Sequence, residues 1–74
     1  MMNQEITESI LSQMPTAQVE VVLDGNRAVI TVVSEEFTTL NRLRRQQKVY
    51  GCIGDFISDG RLHAVTIRAV TPQE

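Results

Sequence analysis

The chain has 74 residues, 42% of them hydrophobic and 22% charged, with a net charge of −2. This suits a single domain, residues 1–74, with one modest core; its lone cysteine, Cys52, excludes an intrachain disulfide, and its acidic balance excludes a global basic field acting on nucleic acid. No run approaches the roughly 18 to 20 apolar residues of a membrane span, and residues 1–10, with Glu5 and Glu8, lack the basic-then-apolar order of a secretion signal, so the expected compartment is the cytoplasm, which also suits an unpaired thiol.

The first element is predicted helical over residues 2–14. Ile6, Ile10, Leu11 and Met14 recur as an amphipathic stripe, and Pro15 ends it. A hairpin follows over about 17–33, with strands at 17–23 and 27–33 rich in β-branched residues. Asp24-Gly25-Asn26 supplies residues that tolerate the positive φ of a tight loop. Ser34 can cap the next turn, with Glu35 and Glu36 suited to a helix N-terminus.

A long helix is expected over about 38–58. Leu40, Leu43, Gln47, Tyr50, Gly54 and Ile57 share one face, read as the core side. Arg42, Arg45 and Lys48 share the other, read as solvent side. Val49, Ile53 and Phe56 widen the apolar stripe, so either the second half is buried on more sides or the helix breaks near Gly51. Gly60 suits a C-terminal cap. Residues 62–70 read as a strand with His63, Val65, Ile67 and Ala69 on one face, closed by Thr71-Pro72. The order α-β-β-α-β predicts an α+β domain with helices on one face of a three-stranded sheet.

Two segments carry a family resemblance. One is Arg44-Arg45-Gln46-Gln47-Lys48-Val49-Tyr50-Gly51. The other is Gly60-Arg61-Leu62-His63-Ala64-Val65-Thr66-Ile67, followed by Thr71-Pro72-Gln73-Glu74. In order and spacing they resemble the BolA family, and the short bacterial IbaG-like branch in particular. The resemblance implies a fold like the class II KH domain and a non-enzymatic role beside monothiol glutaredoxins in iron–sulfur handling. It also implies a [2Fe–2S] cluster shared with glutaredoxin and glutathione, none being intrinsic to the chain, with His63 as the metal ligand. Imidazole is a competent iron donor. The pattern departs in the hairpin loop, where the family carries a second histidine or cysteine. Arg27 stands there, and a guanidinium cannot ligate iron.

Each candidate has a plainer reading. His63, the only histidine, also suits a partly buried strand position, and Cys52 suits a small packing residue. Arg42, Arg44, Arg45 and Lys48 are either a solvated helix face or a docking surface for an acidic partner or a nucleic-acid backbone. The latter would make the protein a KH-like DNA-binding transcription regulator. Against it, Gly51-Cys52-Ile53-Gly54 lies within a helical pattern and is not a KH clamp loop, and Phe37, Tyr50 and Phe56 all read as core. The expected state is a monomer or weak homodimer with no membrane partner.

Overall fold

The computed structural model describes residues 1–74. Helix α1 spans Met2–Gln13 and buries Ile6 and Ile10. The Met14 amide closes it on the Ile10 carbonyl at 2.8 Å, and Pro15 follows, unable to continue the ladder. Strands β1 (Gln18–Asp24) and β2 (Arg27–Val33) pair antiparallel from Gln18↔Val33 to Asp24↔Arg27. The loop between them is thus two residues. Only Gly25 takes a positive φ, 61°, while Asn26 does not, the mark of a hairpin turn with glycine at its first central position.

The expected helix over 38–58 is two helices. Ser34 Oγ accepts from the Glu36 amide at 3.1 Å and caps a 3-10 turn, Glu35–Thr39, which buries Phe37. Leu40 and Asn41 are extended, and Asn41 Oδ1 then accepts from the Arg44 amide at 2.9 Å. This side-chain cap starts helix α2, Arg42–Ser58. The helix runs unbroken through Gly51. Its Asp59 cap is followed by Gly60 at φ 83°, a left-handed conformation favouring glycine.

The face that α2 buries is also a correction. Val49, Cys52, Ile53 and Phe56 point inward, whereas Leu43, Tyr50 and Ile57 are 65%, 41% and 38% exposed. The inward arc lies roughly a third of a turn from the expected one. The expectation tied Leu40 to Leu43 through a continuous helix, and the break at Leu40–Asn41 removes that link. The α+β architecture stands regardless, because a second apolar arc on α2 covers the sheet.

Strand β3, Ala64–Val70, pairs parallel to β2 from Arg27↔Ala64 to Val33↔Val70, giving the order β1-β2-β3. Ala28, Ile30 and Val32 of β2 and Ile67 of β3 meet the helices in one core with Ile6, Ile10, Phe37, Val49 and Ile53. The opposite sheet face, with Val22, Val29, Thr66 and Arg68, is open. Leu62, expected in β3, precedes it. Its amide bonds to the Phe56 carbonyl at 2.9 Å and its side chain is buried under the strand's entrance.

Two tests follow from these contacts. Asn41→Ala should cost about 1 kcal/mol in denaturant unfolding, as loss of a side-chain cap does. Glu74 Oε1 accepts from the Thr71 amide at 2.7 Å and from Arg45 Nη1 at 2.8 Å. The Thr71 amide first, then the Thr71 side chain and Arg45, hold the Glu74 carboxyl down from 4.5 to about 2. The stabilisation is complete above pH 4.5 and is lost as pH falls through about 2. Glu74→Gln should therefore flatten acid destabilisation in that window. An NMR titration should move the Glu74 midpoint upward in Arg45→Ala.

Candidate functional site

His63 stands at the end of a tightly held turn. Asp59 Oδ1 accepts from the Arg61 amide at 3.1 Å, and Arg61 Nε meets Asp59 Oδ2 at 2.8 Å. The Arg61 guanidinium lies 4.1 Å from the Phe56 ring centroid and 3.7 Å from Glu5. A cation over a ring face and two carboxylates fix the turn between α2 and β3. His63 then emerges exposed, as expected of a residue at the sheet margin, directly before β3, which begins at Ala64, two residues later than expected.

The hairpin tip is its neighbour. The His63 amide donates to the Asn26 carbonyl at 2.8 Å, and the Ala64 amide to the same oxygen at 3.4 Å. Residues 24–27 and His63, more than 30 positions apart in the chain, therefore share one end of the sheet. Arg27 opens β2 there, paired with Ala64. His63 and Arg27 were named from the sequence, whereas Asn26 was given only a turn role and Arg61 none of its own. Backbone acceptors leave no side-chain signature, and Arg61 reads as an ordinary turn residue.

The donor set does not hold a metal cluster unaided. No group of three or more His, Cys, Asp or Glu side chains is gathered anywhere. Cys52 is in the core, with its thiol 3.3 Å from the Lys48 carbonyl. Burial pushes that thiol up, a trend Lys48 opposes and Glu36 reinforces. With Cys52 buried, His63 is the single accessible imidazole or thiol, and any cluster would need its remaining ligands from elsewhere.

The basic residues do not form the single stripe that was expected. Arg42 and Arg44 are exposed, and Lys48 pairs with Glu36 at 3.5 Å. Arg45 turns inward. Its Nε donates to the carbonyls of Phe37 (3.1 Å) and Leu40 (3.0 Å), and its Nη1 to that of Ala69 (3.3 Å) and to Glu74. It ties the 3-10 turn, α2 and the end of β3 together, so replacing it would disturb the fold as well as the surface. Beside it runs a groove of about 410 Å³ between the start of α2 and β3, lined by Arg42, Arg45, Gln46, Arg68 and Glu74 among others. Arg68 was missed in the sequence because it lies on a strand, away from the basic run.

The comparisons agree with this architecture. A family model described as BolA-like protein matches residues 12–74. The acid stress protein IbaG of Escherichia coli strain K12 is 38% identical over 74 residues, covering all of this chain and 88% of that protein. Among solved structures, BolA1 from Arabidopsis thaliana superposes with a TM-score of 0.86 at 22% identity, covering 97% of this chain and 93% of that one. The BolA domain of SufE1 from Arabidopsis thaliana gives 0.85 at 23% identity, covering 96% and 92%. With the family model spanning residues 12–74 and the E. coli relative aligned over the whole of this chain, this chain belongs to the BolA-like protein family.

Proposed function

We propose that this chain is a non-enzymatic partner of a monothiol glutaredoxin, acting in the cytoplasm in iron–sulfur cluster assembly, trafficking or sensing. The observation that carries the reading is the exposed His63 held against the hairpin tip by the Asn26 carbonyl. In this reading the glutaredoxin and glutathione hold the [2Fe–2S] cluster and His63 adds one imidazole nitrogen to it. Its other nitrogen needs a protein or water partner to fix the tautomer. Arg27, beside Ala64 at the same end of the sheet, offers no lone pair. The chain grips at one point, and the shared cluster exchanges faster than one gripped at two.

The test mixes the protein with a monothiol glutaredoxin, glutathione, iron and sulfide, and follows visible absorption and circular dichroism. His63→Ala should erase the spectral change that the chain imposes on the glutaredoxin-bound cluster, with the far-ultraviolet spectrum intact. Arg27→His should slow loss of the cluster to a chelator. An unchanged cluster spectrum with His63→Ala would remove His63 as a ligand.

A second reading, a DNA-binding transcription regulator, is favoured by the groove that brings Arg68 beside Arg42. Two exposed guanidiniums are a small phosphate-binding set, and we rank this reading below the first. Binding to duplex DNA should be weak and should weaken steeply with salt. Arg42→Ala with Arg68→Ala should lower the salt slope by about 2, roughly 1 per phosphate contact. Tight, base-specific binding at physiological salt would reverse the ranking.

A further inference from the structure

Three features on the outer side of α2 have no counterpart inside the molecule. Leu43, Tyr50 and Ile57, spaced seven residues apart, form an apolar line open to solvent. With Gln47 and Gly54 between them the spacing alternates four and three, the seam of a helix that meets another helix. Gly54 lies in this seam and Gly51 beside it, and a Cβ added to either would meet nothing within 4 Å. Glycine weakens a helix interior, and no packing inside the molecule requires it here.

The charge order is the third. The first turn of α2 holds Arg42, Arg44 and Arg45 with no acid, and its last turn holds no base. This opposes the helix dipole, which favours acids at the N-terminus and bases at the C-terminus. Arg45 has Glu74 and Lys48 has Glu36, but Arg42, Arg44 and Asp55 have no ion-pair partner.

We propose that this face of α2 packs antiparallel against the same face of a second copy, across a twofold axis near Tyr50. Tyr50 is midway between Leu43 and Ile57, so the axis sets Leu43 of one copy against Ile57 of the other. Gly54 opposes Gln47 and allows the helices to approach closely. At about 100° per residue, Arg44 and Asp55 lie on the same flank of the seam. In an antiparallel pair that flank meets itself, and Arg44 of each copy reaches Asp55 of the other. The basic start of each helix then lies beside the acidic end of its mate, which relieves the inverted dipole order twice. A contact this narrow falls below the roughly 1,200 Å² of stable assemblies, so the dimer is transient and self-complementary.

Sedimentation of the protein alone, from about 10 µM to about 1 mM, should show a reversible monomer–dimer equilibrium. Leu43→Glu should weaken it at least about tenfold with unchanged thermal unfolding, since Leu43 is 65% exposed. Arg44→Asp or Asp55→Arg should each weaken it, and the two together should restore it. Cys52 is buried and stays in place. Tyr50→Cys should form a disulfide with its own copy under mild oxidation, whereas Leu43→Cys should do so only when mixed with Ile57→Cys. A monomer throughout the range, a dimer indifferent to Leu43→Glu, or Leu43→Cys linking to itself as readily as Tyr50→Cys would each overturn the proposal.

Discussion

The parallel pairing of β3 on β2 is the contact on which the remaining structure depends. Parallel neighbours need a crossover connection, and here everything from Ser34 to His63 serves as one. The register from Arg27↔Ala64 to Val33↔Val70 turns Ala28, Ile30, Val32 and Ile67 toward the helices. A slip of one residue would turn the apolar side chains of β3 to the open face. It would also move His63 away from the Asn26 carbonyl. One register therefore fixes both the core and the juxtaposition of His63 with the hairpin tip.

That pairing leaves β3 as an edge strand, and α2 covers part of the edge. Gln46 Nε2 donates to the Ile67 carbonyl at 3.0 Å and Arg45 Nη1 to the Ala69 carbonyl at 3.3 Å. Long polar side chains from a helix thus occupy acceptors that another strand would otherwise seek. The same two side chains form one wall of the groove holding Arg42 and Arg68. Edge protection and surface charge are built from adjacent residues, which is why the basic run could not act as one uniform face.

The hairpin was legible because its information is local: β-branched strands and a glycine where the turn demands a positive φ. The α-β-β-α-β order was legible for similar reasons. The inward face of α2 was not. The helix carries two apolar arcs, Leu43/Tyr50/Ile57 and Val49/Cys52/Ile53/Phe56, and periodicity identifies arcs without saying which is covered. Asn41 was passed over as a cap, because Leu40 and Leu43 were read on one continuous helical face. The place of His63 at the start of the last strand was legible from the turn residues before it, whereas its reading as a ligand came from the family resemblance alone. The inward turn of Arg45 depends on carbonyls at Phe37, Leu40 and Ala69 that only the folded chain assembles.

Cys52 sits in the core beneath α1, whose Ser9 hydroxyl donates to its carbonyl, and its thiol is desolvated. A desolvated thiol yields little thiolate, the form that attacks disulfides and peroxides. With no other sulfhydryl in the chain and this one buried, glutathionylation or peroxide oxidation at cysteine should proceed at the rate at which the core opens.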